Sequence, residues 1–125
     1  MRDASNIENS QALLLVGLKE ANTAGYDCGA CGYPTCGEFK KSRQMREKEM
    51  GYTGPHCVMR MIDIGVALSS AAKTASLLNV DNRVQQRVGA AAKALGFIKG
   101  EVVMGIPVGI TGKSIYFDRQ AAVKH

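Results

Sequence analysis

The order of patterns along the chain predicts an α+β fold: one apolar strand run near the start, three helical stretches through the middle, and a pair of short strand runs near the end. Size and continuity point the same way. A chain of 125 residues with 46% apolar side chains makes one domain with one ordinary core. No linker, internal repeat or low-complexity segment divides it, so residues 1–125 read as one unit, with a cysteine loop at 26–57 and a helical and β part at 58–119.

The elements follow in order. Residues 11–19, Gln-Ala-Leu-Leu-Leu-Val-Gly-Leu-Lys, form a short continuous apolar run that suits a buried strand. The cysteine-rich loop comes next. Residues 38–49 then read as a helix, stopped by Gly51 and the turn-rich Tyr52-Thr-Gly-Pro55. Cys57 opens the longest helical pattern, 58–78, where Met61, Ile62, Ile64, Leu68, Leu77 and Leu78 are joined by many glycine, alanine and serine residues. Asp81 or Asn82 can cap the third helix, with an apolar stripe of Val84, Val88, Ala91, Ala92 and Leu95, and Gly96 is placed to end it. Residues 101–110 read as a strand in which Pro107 lacks a ladder donor, so an edge position or a bulge is expected. After a turn at Thr111-Gly-Lys113, residues 114–117 complete the C-terminal strand pair, and the tail from Asp118 is expected to be loosely held.

The chain has four cysteines, spaced Cys28-x2-Cys31-x4-Cys36-x20-Cys57. Four thiolates can hold one iron–sulfur cluster with no cysteine left over, three from a tight loop and the fourth closing the cage from downstream. The four sulfurs are therefore expected to converge. Gly29, Gly32 and Gly37 allow positive φ and close approach of backbone N–H groups to a bound anionic group. Cys36 stands at a helix start, where unpaired amides favour a thiolate. Plant-type [2Fe–2S] ferredoxins order the spacings as C-x4-C-x2-C, the reverse of this one, which favours a [4Fe-4S] cluster.

Other uses of four cysteines stay open. Zinc is the main alternative cofactor, although structural zinc sites usually carry two C-x2-4-C knuckles and the second is missing here. Disulfides have no support because nothing marks secretion, and Cys28-Gly-Ala-Cys31 has a thioredoxin-like spacing without a βαβ pattern around it. His56, beside Cys57, could substitute as a ligand or stand near the group without binding it.

Charge and hydropathy limit the partners. The formal net charge is +5, and a [4Fe-4S]2+ core on four thiolates carries about −2, which leaves a mild excess suited to an acidic redox partner. Nucleic acid is not expected: Lys40, Lys41, Arg43, Arg46 and Lys48 alternate with Glu38, Glu47 and Glu49 as on a solvated helix face. The start carries no apolar signal region and charge interrupts the longest apolar stretches, so neither export nor a membrane span is expected, and the location reads as cytoplasmic. Gly112-Lys113-Ser114 is not a P-loop, since position 107 is proline and a strand, not a helix, is expected after it. No Ser/His/Asp arrangement, paired carboxylate motif or H-E-x-x-H names a catalytic group, so an enzyme is not the first reading.

Two resemblances add to this. The stretch Cys28-Gly-Ala-Cys31-Gly-Tyr-Pro-Thr-Cys36 with its later cysteine resembles the small [4Fe-4S] domain of electron-transport complex subunits and of the corrinoid iron–sulfur subunit of acetyl-CoA decarbonylase. That resemblance implies Cys28, Cys31, Cys36 and Cys57 as ligands. Residues 2–6, 12–17, the cysteine loop, 81–84, 105–107 and 112–119 together resemble a family of uncharacterised prokaryotic ferredoxin-domain proteins, whose members usually carry a further segment before Arg-Asp-Ala. A short version lacking that segment is the expectation here.

The helix at 63–75 also resembles the central helix of nitroreductase-type flavoproteins, which would imply a nitroreductase-like architecture. Lys73, Arg83, Arg87 and Lys113 are the candidate donors to a flavin phosphate, but such enzymes usually place those arginines near the chain start, where Arg2 alone remains. FMN is therefore not expected on this chain alone.

The expected function is [4Fe-4S] binding for electron transfer or redox sensing, with a redox partner protein and a homodimer completing the helix or sheet packing. A flavin-dependent reductase with an accessory cluster and a zinc-stabilised interaction module are the alternatives.

Overall fold

In the computed structural model, which describes residues 2–19, 23–43, 46–47 and 51–118, nine elements follow one another. They are α1 (Arg2–Glu8), β1 (Ala12–Leu18), α2 (Cys36–Ser42), β2 (Arg46–Glu47), β3 (Thr53–Gly54), α3 (Val58–Leu77), β4 (Asp81–Asn82), α4 (Gln86–Ala94) and β5 (Val102–Gly109). The α+β class is as the sequence predicts.

The centre of the fold is β5. It pairs antiparallel with β1 on one side, Leu14 opposite Ile106, and with β4 on the other, so the sheet order is β1-β5-β4. Side chains leave a strand alternately to its two faces, and both faces of β5 are covered. On one face Val102 and Ile106 pack with Ile64 and Leu68 of α3. On the other, α4 lies directly on the strand: Gly89 sits against Val103, and Gly105 leaves room for Val88. Ile106 is 1% exposed, so the core runs through the sheet.

Pro107 is neither at an edge nor, among the described residues, at a bulge. The N–H of Gly105 donates to Gln85, and Pro107, two residues on, faces the same side. Its missing donor falls between β4 and Gln85, where the partner strand is interrupted. A proline thus fits a central strand because one neighbour is broken beside it.

Other expectations need correction. β1 is the predicted strand but stands at the sheet edge with Leu13 and Leu14 exposed, since an apolar run marks a strand without naming its neighbours. The helix expected at 38–49 is shorter: α2 ends at Ser42, Arg43 turns to extended backbone, and 46–47 pair with 53–54 as β2 and β3. Residues 44–45 and 48–50 lie outside the described residues. Asp81 and Asn82 form β4 instead of capping a helix, and the Asn82 amide ties it to Ser76 of α3 at 3.0 Å. Gln85 takes the N-cap position of α4. Gly96 ends α4 as expected, at φ +79° with the Phe97 N–H returned to Ala92.

The second strand of the expected C-terminal pair is absent: residues 114–117 are turn and irregular chain. Side chains hold them instead of a ladder. Tyr116 is fully buried with its hydroxyl 3.0 Å from Ser10 Oγ, and Arg83 donates to the Tyr116 carbonyl at 2.7 Å. The tail expected to be loose lies, from 119 on, outside the described residues. α1 had no counterpart in the expectation; it buries Asn6 and leads into Ser10.

α3 buries only Ile64 and Leu68. Ile62, Val66 and Leu77 are exposed along it. Among the described residues no helix is long and apolar enough to cross a membrane.

Candidate metal centre

Cys28 and Cys31 ride on the irregular chain before α2, which is bent by positive φ at Gly25 (80°), Asp27 (47°), Gly29 (69°) and Gly32 (87°). A β-carbon at Gly32 would meet nothing within 4 Å, so glycine serves the backbone angle there, not packing. Gly37 differs from Gly29 and Gly32. It is the second residue of α2 and has no positive φ, so the conformational argument does not apply to it.

Cys36 is the first residue of α2, one position earlier than a start after the cysteine would give. Thr35 caps the helix by accepting the Glu38 N–H at 3.2 Å. The Cys36 N–H is not free for a bound group: it donates to Asp27 Oδ1 at 2.6 Å. Phe39 anchors the helix inside, with the Tyr33 ring 5.7 Å away and the Arg43 guanidinium 5.9 Å from its ring centre.

Cys57 holds the fourth position from a different element. It is the N-cap residue of α3 and is 5% exposed. Burial opposes ionisation of its thiol, but the N–H groups of Arg60, Ala24 and Met59 and the Arg60 charge outweigh it and bring the thiol below its ordinary range. The Cys57 side chain forms no helix-capping hydrogen bond.

The four thiols are all free of disulfides, with Cys28 exposed, Cys31 and Cys36 half-buried and Cys57 buried. Among the described residues no three His, Cys, Asp or Glu side chains gather closely enough to hold a metal ion, so the expected convergence is not formed. The donor set still fits. Unpaired thiols on a glycine-bent loop, with a fourth whose environment favours the thiolate, are the chemistry that iron–sulfur clusters take, and zinc as well.

A second group of side chains adjoins this one. Glu101 Oε2 accepts from Arg43 Nη2 at 2.9 Å and stands 3.4 Å from His56 Nδ1, with all three side chains under 17% exposed. Burial lowers the His56 pKa, Glu101 opposes that and Arg43 adds to it. The sequence offers His56 as a substitute ligand or as a residue near the bound group, and nothing in it signals Glu101 or Asp27.

The fold is mixed α+β, and its four free thiols are a donor set that an iron–sulfur cluster or zinc takes. Residues 53–119 match the family described as "Uncharacterized protein containing a ferredoxin domain", and the chain belongs to it. Residues 24–47 match the family described as "Putative Fe-S cluster". An uncharacterized protein of Archaeoglobus fulgidus is 49% identical over 119 residues, which is 95% of this chain and 63% of that protein. The chain thus spans less than two thirds of that relative. No solved structure matches, and the nitroreductase-like architecture has no support beyond the likeness of one helix.

Proposed function

We propose that the chain holds one [4Fe-4S] cluster on Cys28, Cys31, Cys36 and Cys57 and passes electrons to a redox partner protein in the cytoplasm. The observation that carries the reading is Cys57: a buried sulfur at the amino end of a 20-residue helix, in an environment that favours the thiolate. Three further thiols, two on the adjoining loop and one at the start of α2, complete the count. When bound, such a cluster supplies one-electron redox chemistry. The chain's own part is to present thiolates from two separately held segments and to bury one of them from water. Free thiols are also what a reducing compartment maintains.

Protein purified without oxygen is expected to be brown and to carry about four irons and four sulfides per chain. Colourless protein with one zinc overturns the proposal in favour of a zinc-stabilised module. We also propose a homodimer, supported by the exposed apolar positions Ile62, Val66 and Leu77 on α3. Light scattering that gives one chain per particle at high concentration counts against it.

A further inference from the structure

We infer that Glu101 is a positioning residue for the metal centre, a side chain that ties the helix begun by Cys36 and the residue before Cys57 to the end of the sheet. The inference rests on the cluster reading above.

Its backbone is fixed first. The Glu101 N–H donates to the Leu18 carbonyl at 2.9 Å, at the end of β1, and the next residue begins β5. The carboxylate therefore starts from a rigid base. From there one oxygen, Oε2, meets two segments that share no backbone ladder with the sheet. Arg43, at 2.9 Å, is the C-cap residue of α2, and Cys36 is the first residue of that same seven-residue helix. His56, at 3.4 Å, precedes Cys57, and its ring lies over Gly54, where a β-carbon would come within 3.3 Å of the ring.

The sheet, α2 and the Cys57 segment therefore meet at one atom. The Arg43–Glu101 pair is largely out of water, with side-chain exposures of 13% and 16%, so it is screened far less than a surface pair, and the His56 side chain beside it is 14% exposed. Partners one layer behind metal ligands orient them and tune the metal, and their loss commonly weakens binding about 10- to 100-fold. Glu101 stands a step further back, touching Arg43 at the end of the helix that Cys36 begins and His56, the residue before Cys57.

The test uses the full chain loaded anaerobically with iron and sulfide, as wild type, Glu101→Gln, Glu101→Ala and His56→Phe. The cluster readouts are the rate of iron release to a chelator and the midpoint potential. Thermal unfolding of the metal-free proteins reports stability separately. Glu101→Ala is expected to release iron about tenfold faster, with Glu101→Gln in between. The potential should rise in both, because removing a negative charge from the surroundings of the centre favours the more negative, reduced form. A role confined to fold stability would lower the unfolding temperature without moving the potential.

Wild-type release rate and potential in both Glu101 variants overturn the inference. If Glu101→Ala does not fold, Glu101→Gln, which keeps volume and one acceptor, decides, and His56→Phe, which cuts one arm only, should shift release in the same direction. Wild-type protein that takes up no iron and sulfide sinks the cluster reading itself, and that failure is told apart by occurring before any variant is compared.

Discussion

A β-carbon added to Gly89 would stand 2.0 Å from the carbonyl oxygen of Val103, because α4 lies directly on the backbone of β5 at that point. The clash is with main chain on a buried strand, which has no rotamer to yield. Gly89→Ala is expected to destabilise the protein by about 3 kcal/mol or more despite alanine's better helix propensity. Gly105→Ala, whose new carbon would meet Val88 at 2.5 Å, should act in the same direction but less, since a side chain can move. Denaturant melts of both variants check this, and equal stability with wild type would show that the helix and strand are not in such contact.

Ile106 tests the opposite face. It is 1% exposed and packs in the cluster with Ile64, Leu68 and Val102, so Ile106→Ala should lose about 3 to 4 kcal/mol. Exposed Val66 on α3 provides the contrast, with Val66→Ala expected within about 0.5 kcal/mol for the isolated chain. A large effect at Val66 would mean that another surface covers it in solution.

Replacing Cys28, Cys31 or Cys57 by serine should lose or convert the cluster, read as iron per chain and as the reduced-state electron spin resonance spectrum. The three differ in the metal-free protein. Cys28 is exposed and its replacement should leave stability nearly unchanged, whereas serine at buried Cys57 places a hydroxyl in a site shaped for sulfur and should lower it. Full cluster retention in any one variant identifies a wrongly assigned ligand.

Removing the metal should separate the molecule into two responses. The apolar core lies between α3, the sheet and α4, and the cysteine loop adds little to it beyond Tyr52 at its margin, Phe39 and Cys57 being buried outside that cluster. Chelation is therefore expected to abolish hydrogen-exchange protection across residues 26–57 while β5 amides stay protected. Loss of protection in β5 at the same time would show that the metal centre is needed for the whole fold.

The four cations considered for a flavin phosphate stand in different surroundings. Lys113 pairs with Asp118 at 2.8 Å, Arg83 covers the Phe117 ring at 4.7 Å, Arg87 borders an apolar groove against α1, and Lys73 is exposed on α3. Excess FMN mixed with the chain should keep its fluorescence. Stoichiometric quenching with reduction by NAD(P)H would overturn the electron-transfer reading and make the chain an enzyme.

The features readable from sequence were those written in local pattern. The long helix opened by Cys57 and the stop at Gly96 each depend on a few neighbouring residues, and each is found. What escaped depends on distant partners. Pro107 suggests an edge until β4 is seen to break beside it; residues 114–117 read as a strand, yet Tyr116 is held by Ser10 and Arg83 from far along the chain. Asp27 capturing the Cys36 amide and Glu101 joining Arg43 to His56 likewise have no sequence signature, because ordinary carboxylates become specific only through what folds against them.

The pairing of β1 with β5 has a consequence for the order of assembly during synthesis. These two strands are neighbours in the sheet but stand at opposite ends of the described chain, and every cysteine lies between them. A nascent chain leaving the ribosome therefore presents all four thiols while β1 still has no ladder partner and the central strand does not yet exist. Closing so long a loop is slow relative to local helix formation. The interval in which the thiols meet iron, sulfide or an oxidant is thus set by translation of the C-terminal third, before the sheet can bring Glu101 into place.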